Sequence, residues 1–154
     1  MANQVRQAAA IVLWRRDAQE NVQVFLAKRS EHLAFFGGFW AFVGGSVEPT
    51  DSTAVIAGAA VDAALVAAAA RELFEETGIA ALAGGAGMAA THRDALRRQV
   101  QATPSAWQTA LQAQGLRVAG ADFVPFGRWQ TPPFSPVTFD AQYFAVELPP
   151  GTSP

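Results

Sequence analysis

Short apolar runs alternate with turn-forming residues along the first part of the chain. Ala8–Trp14 is apolar and partly β-branched, which predicts a strand. Asp17–Asn21 reads as a polar turn, and Val22–Lys28 places Val22, Val24 and Leu26 on one side with a period of two. These two strands are expected to form a hairpin. Gly37-Gly38 and Gly44-Gly45 then bracket Phe39-Trp40-Ala41-Phe42-Val43. An aromatic strand between paired glycines predicts backbone held close to a ligand, or a sharp bend.

Pro49-Thr50-Asp51-Ser52 reads as a turn or helix start. Helical character follows up to Thr77, with room for a break near Gly58, and Gly78 suits a helix end. The Ala-rich run Ala54–Ala70 contains Asp62 and leads into Arg71-Glu72, so it reads as a soluble helix. Ala80–Ala90 is expected as a loop. Thr91–Gln101 is expected as a helix with Thr91 as its cap, and Thr103-Pro104 restarts a helix that ends at Gly115. Leu116–Trp129 suggests extended chain, Thr131-Pro132-Pro133 a turn, and Val137–Leu148 alternates as a long strand. The order of strands, helix, helical insert and strands predicts a mixed α/β or α+β layered fold in one domain over residues 1–154. The helical insert is placed at about 91–115, and neither a repeat nor a linker divides the chain.

Composition narrows the chemistry. The chain has 154 residues, 51% of them apolar and 16% charged, which fits a globular domain with a real core. A formal charge of −2, with eleven basic residues spread along the chain, argues against a nucleic-acid polymer as partner. A small-molecule substrate is expected. There are no cysteines, which removes thiolate nucleophiles, disulfides and thiolate zinc sites. His32 and His92 read as surface or capping residues. Ala8–Trp14 is too short to span a bilayer. No targeting segment is visible, so the expectation is a cytoplasmic protein with no membrane partner.

The informative stretch is Arg71-Glu72-Leu73-Phe74-Glu75-Glu76-Thr77-Gly78. On a helix, Glu72, Glu75 and Glu76 are spaced i, i+3, i+4 and share a face. Like charges at that spacing destabilise a helix by about 0.2–0.5 kcal/mol per pair. They also sit near the C-terminal end, where the helix dipole disfavours negative charge. A hard divalent cation resolves both conflicts. Mg²⁺ takes oxygen ligands, binds through one or two carboxylates, keeps waters and completes its shell with substrate phosphates. Arg71, four residues before Glu75, is placed to pair with it.

With Gly44-Gly45 upstream, this stretch resembles the Nudix hydrolase signature. That signature runs Gly, five residues, Glu, seven residues, Arg-Glu, an apolar residue, any residue, Glu-Glu, any residue, Gly and an apolar residue. Arg71, Glu72, Leu73, Glu75, Glu76, Gly78 and Ile79 match its second half, and Gly45 its glycine. Two positions depart. Gly45 to Arg71 is 26 positions where the signature has 14, so twelve residues are added, placed at about 46–60. Eight positions before Arg71, Ala63 stands where glutamate is usual, and Asp62 or Glu48 are the candidates to replace it. An interrupted signature resembles the branch of peroxisomal-type coenzyme A diphosphatases and their bacterial relatives. Leu26-Ala27-Lys28-Arg29-Ser30, Leu33, Gly38, Phe42, Gly44 and Gly45 resemble the element upstream of the signature in that branch. Ala34 and Val43 depart from it, where arginine and proline are usual. Trp129, Thr131-Pro132, Phe139-Asp140 and Tyr143-Phe144 are also similar to that branch.

The resemblance implies an α/β/α sandwich with a mixed sheet and Mg²⁺, or Mn²⁺, as cofactor. The activity it implies is cleavage of a nucleoside diphosphate linked to another group. Coenzyme A or acyl-CoA is the leading substrate; ADP-ribose, a dinucleotide or NADH are alternatives. By position, Glu72 and Glu76 would be primary metal ligands, Glu75 a further one, the Gly45 carbonyl a contributor, and Arg71 the residue that orients the carboxylates. Lys28, Arg29, Gly44, Gly45 and Trp40 are the candidate substrate contacts, with Phe42 a core or pocket residue. Asp140 and Glu147 are late acidic candidates. Nudix domains usually continue with a further strand and helix after the segment at 137–148. The fold is therefore expected to be truncated at the C-terminus, or completed by a partner chain, as in a homodimer; a missing helix would expose apolar sheet surface. The rival from another class is a nucleotide-binding sensor that keeps the fold without turnover.

Overall fold

The structure is a computed structural model that describes residues 5–33, 37–58, 62–85, 87–132 and 137–154. Ala34 and Pro133, both named above, lie outside the described residues. At its centre is β1 (Arg6–Arg16), whose alternate residues Ala9, Ile11 and Leu13 are buried, while Ala10, Val12 and Trp14 on the other face are half-buried. That is the period of a strand with one core face. The expected hairpin forms: β2 (Val22–Val24) pairs antiparallel with the end of β1. The Asp17 carboxylate closes the turn by accepting the Gln19 and Asn21 N–H groups, each at 2.9 Å.

The strand expected over Val22–Lys28 is split. β3 (Ala27–Lys28) leaves the main sheet and pairs with β4 (Trp40–Ala41), with Lys28 opposite Trp40. The aromatic strand is likewise divided, at Phe42. β5 (Val43–Ser46) returns to β1, with Gly44 opposite Ala10 and Gly45 opposite Ala9. A Cβ on Gly44 would lie 2.7 Å from the Ala10 Cα, so the paired strands approach this closely only because glycine stands there.

A 3₁₀ turn over Pro49–Thr53 follows, then β6 (Ile56–Ala57) and α1 (Ala63–Thr77). The helix expected from Ala54 therefore begins nine residues later. Gly58 has a left-handed φ of 85°, and Asp62 caps the true start by accepting the Ala64 N–H at 2.9 Å. Gly78, at φ 78°, ends α1 as expected. The helical insert is α2 (Ala90–Ala102) and α3 (Ala106–Ala113). Thr91 lies inside α2 and is not its cap; the N-cap is Ala89, which offers no side-chain bond. The stretch expected as extended over Leu116–Trp129 holds β7 (Val118–Ala119), a 3₁₀ turn over Gly120–Asp122, and the start of β8 (Val124–Gln130). β9 (Phe139–Glu147) is the long strand expected there.

β9 runs parallel to β1 from Arg6 opposite Phe139 to Trp14 opposite Glu147, and β8 lies antiparallel on its far side. The main sheet is thus mixed, in the order β2-β1-β9-β8 with β5 also on β1. β6 and β7 form a separate parallel ladder. This is the mixed α+β architecture that the element order predicts. The core lies between the sheet and α1, with the insert packed over α1. Phe74 of α1 stacks on Trp107 of α3, their centroids 4.5 Å apart, and Phe123 meets Phe144 edge-on at 6.1 Å. No helix of the described residues is long and apolar enough to cross a membrane.

Trp107 is fully buried against Phe74, so Trp107→Ala removes both a large apolar volume and the ring stack. We expect it to destabilise the domain by about 3–5 kcal/mol, read from urea unfolding curves.

Candidate active site

The last two turns of α1 carry Arg71, Glu72, Glu75 and Glu76. Leu73 and Phe74 are fully buried and fix the rotation of the helix about its axis. That rotation sets Arg71 and Glu72 against the backbone of β5 and the 3₁₀ turn.

Arg71 is 1% exposed and so is Asp51, and the two meet in a bidentate pair. Arg71 Nε donates to Asp51 Oδ1 and Nη2 to Asp51 Oδ2, both at 3.1 Å. Nη2 also donates to the Ser46 carbonyl at 2.9 Å, and Nη1 to Glu72 Oε1 at 2.8 Å. Glu75 Oε2 lies 3.5 Å from Nη1, in the i, i+4 pairing expected from the sequence. Burial works against the guanidinium charge, but the Asp51 hydrogen bonds and the Glu72 and Asp51 charges outweigh it and hold its pKa above the ordinary value. Asp51 is itself fixed, accepting the Glu48 N–H at 2.8 Å.

The acidic partner sought near Ala63 is therefore Asp51. Ala63 opens α1, Asp62 caps it, and Glu48 precedes the 3₁₀ turn. Asp51 is the sixth residue after Gly45, which is where the signature glutamate falls when counted forward from the glycine rather than back from the arginine.

The carboxylates lie against the paired glycines. A Cβ on Gly45 would run into the Glu72 carboxyl group, its Cδ only 2.6 Å away. Glu76 Oε1 faces the Gly44 N–H at 3.5 Å, the outer limit of a hydrogen bond. Burial raises the pKa of all three glutamates. For Glu72 it outweighs the Arg71 charge and hydrogen bond, and with the Glu75 and Glu76 charges pushes the carboxyl up to about 7. Glu75 is raised by burial and by the Glu48 charge, against Arg71. Glu76 is raised by burial and by Glu75, against the Gly44 N–H and the charges of Arg29 and Arg97.

This donor set fits a hard divalent cation. It is all oxygen, it is partly desolvated, and it carries more negative charge than Arg71 alone offsets. Among the described residues, no three His, Asp or Glu side chains are gathered tightly enough to enclose an ion by themselves. The fit is thus to an ion held by one or two carboxylates and completed by water or phosphate, which is the habit of Mg²⁺.

The other candidates are distributed unevenly. Arg29 is near enough for its charge to act on Glu76. Lys28 pairs with Glu31 at 3.1 Å on the surface. Trp40 is 65% exposed beside Lys28 in the β3–β4 ladder. Phe42 is half-exposed and meets Tyr143 edge-on at 6.1 Å. Val43, where the resemblance has proline, is a fully buried core residue. Asp140 is engaged by Arg128, whose Nε donates to Oδ1 at 2.6 Å, and Glu147 stands opposite Trp14 at the far end of β9. The structure does not bring either acid to the glutamates through any contact among the described residues. A cavity of about 810 Å³ opens instead beyond the C-terminal end of α1, lined by Ile79, Met88, Arg93, Arg97, Asp122 and Pro149 among others. Arg97 and Gln101 of α2 reach the backbone of Glu75 and Glu76, a contact that no local sequence signal announces.

The NUDIX domain family model matches residues 5–114. The fold is similar to the crystal structure of a NUDIX hydrolase from Alicyclobacillus acidocaldarius, with a TM-score of 0.82 and 28% identity over 96% of this chain and 72% of that one. It is also similar in fold to a MutT/nudix family protein from Enterococcus faecalis, with a TM-score of 0.55 and 15% identity over 96% of this chain and 38% of that one. No curated protein matches the chain.

Two outcomes are expected. Asp51→Ala strands a buried guanidinium, and breaking a buried pair in this way costs about 3–5 kcal/mol, again read by urea unfolding. The second concerns pH. The Glu72 carboxyl goes from 4.5 unfolded to about 7 folded, so the folded state holds its proton more tightly. Its contribution to stability is intact below pH 4.5 and lost as pH rises to about 7. In chelator, the melting temperature should fall over that window more steeply in wild type than in Glu72→Gln. Mn²⁺ added at pH 8 should restore it in wild type; an identical pH slope in the two proteins would contradict the burial of that charge.

Proposed function

The chain belongs to the Nudix family, hydrolases of phosphoric anhydrides, and on that premise we propose that it cleaves the diphosphate of a nucleoside diphosphate joined to a second group, with coenzyme A or acyl-CoA as the first candidate. The observation that carries the site is the bare backbone of Gly44-Gly45 lying against the Glu72 and Glu76 carboxylates. A side chain at Gly45 would collide with the Glu72 carboxyl group and displace it.

In this reading Arg71, immobilised by Asp51 and Ser46, orients Glu72 and Glu75. Glu72 and Glu76 are the metal ligands, Glu75 a further one, and the Gly45 carbonyl a contributor. Mg²⁺, or Mn²⁺, would polarise a phosphoryl oxygen and make water a competent nucleophile at neutral pH. Water oxygen bonds to one phosphorus, the bridging P–O bond breaks, and two phosphate esters leave. Arg29, whose charge acts on Glu76, offsets phosphate charge beside the carboxylates, and Lys28 offers a further cation on the surface. The exposed Trp40 ring offers a face for a nucleobase. The coenzyme A reading is supported by the resemblance of the upstream segment Leu26–Ser30 to the coenzyme A diphosphatase branch; in this segment Lys28 stands opposite Trp40, and the Arg29 charge acts on Glu76.

A second reading is a nucleotide-binding sensor that keeps the fold without turnover. A panel of coenzyme A, acyl-CoA, ADP-ribose, NADH and diadenosine polyphosphates with Mg²⁺ decides between them. Release of phosphate esters from coenzyme A supports the first reading. Tight nucleotide binding by calorimetry with no product from any compound supports the second.

Glu76→Gln should lower kcat on the best substrate by about 10²–10³-fold, the loss typical of removing one charge-stabilising group, with the circular dichroism spectrum and melting temperature preserved. Equal activity in wild type and variant would remove Glu76 from the site.

A further inference from the structure

The carbonyl end of α1 is satisfied from outside the signature. The last carbonyls of any α-helix have no partner within the helix. In α1 the Gly78 N–H closes back on the Phe74 carbonyl at 2.8 Å, which leaves the carbonyls of Glu75 and Glu76 to be met otherwise. Both are met by α2. Arg97 Nε donates to the Glu75 carbonyl at 2.9 Å, Gln101 Nε2 donates to the same oxygen at 3.1 Å, and Arg97 Nη2 donates to the Glu76 carbonyl. Arg97 and Gln101 are one helical step apart, i and i+4, so they share a face of α2.

We propose that Arg97, supported by Gln101, is a positioning residue for the hydrolytic site: it holds the C-terminal turn of α1 in the register that presents the Glu76 carboxylate to Gly44 and the Glu75 carboxylate to Arg71. The proposal rests on the reading of those glutamates as metal ligands. Two features favour it over simple anchoring of the insert. The guanidinium bonds the backbone of the two glutamates themselves, not an arbitrary turn. It also puts a cation on the negative end of the helix dipole, where that end adds to three clustered carboxylates. The insert is held independently, by buried Leu96 and Val100 of α2, by Trp107 on Phe74, and by Gln112 Nε2 reaching the Thr53 carbonyl at 3.4 Å. Arg97 is therefore not needed to attach it.

The test compares wild type, Arg97→Ala, Arg97→Lys, Leu96→Ala and Glu76→Gln as full chains, with Mn²⁺ alone as the probe in calorimetry. Arg97→Ala should weaken Mn²⁺ binding by about 10-fold or more, the loss usual when a group orienting a metal ligand is removed. Arg97→Lys keeps the cation and should recover part of it. Hydrogen exchange in metal-free protein should be faster over Glu76–Ile79 in Arg97→Ala. Leu96→Ala, which loosens the core of the insert, should lower the melting temperature and leave Mn²⁺ affinity at the wild-type value. Wild-type Mn²⁺ affinity in Arg97→Ala would overturn the proposal, as would an equal loss in Leu96→Ala. Failure of the underlying reading looks different: Glu76→Gln would then bind Mn²⁺ as tightly as wild type, and the proposal would fall with it.

Discussion

The fold around the site is organised by the buried guanidinium of Arg71. A charge taken out of water costs several kcal/mol unless its hydrogen bonds are met with good geometry, and removing one partner leaves that cost exposed. Arg71 meets its needs from three places at once: the Asp51 carboxylate on the 3₁₀ turn, the Ser46 carbonyl at the end of β5, and Glu72 on its own helix. The turn, the strand and the helix are thereby set in one register. Nothing about the position of Glu72 relative to Gly45 is free once those bonds are made.

That register concentrates negative charge where the backbone is bare. Burial holds the glutamates above the usual carboxylate range even with Arg71 in place, so the protein folds with an electrostatic conflict that its own side chains do not resolve. Conflicts of this kind are expected at functional sites, where local stability is given up for chemistry. The C-terminal half of α1 is held against the strain by Asp51 on Arg71, by Arg97 and Gln101 at the helix end, and by Phe74 on Trp107 between them.

Much of this could be read in the sequence. The apolar, partly β-branched run Ala8–Trp14 locates β1, and period-two alternation locates β9. The carboxylate spacing and Gly78 fixed the end of α1. α1 starts later than the alanine run from Ala54 suggests, because alanine favours helix wherever it occurs, while Gly58 and the Asp62 cap decide the boundary. Asp51 was visible as part of a turn, but its role depended on the direction of counting across an interruption. Arg97 could not be found locally. Its meaning lies in carbonyls 21 and 22 residues away, and a basic residue on an exposed-looking helix face carries no mark of what it touches.

The β6–β7 ladder ties together two stretches of chain that look unrelated in sequence. Ile56–Ala57, between Asp51 and α1, pairs with Val118–Ala119, which follows α3. The Val118 N–H donates to the Val55 carbonyl at 3.1 Å, and a side chain on Gly120 would collide with Ile56. Deleting the first stretch would leave the return from the helical pair without its partner strand; deleting the second would strand the first as an open edge. The two therefore form one module in space. Because the second stretch also bonds the backbone of residues 81–83, it would stay anchored in a chain that lost the first, whereas loss of the second would leave Ile56–Ala57 without its ladder.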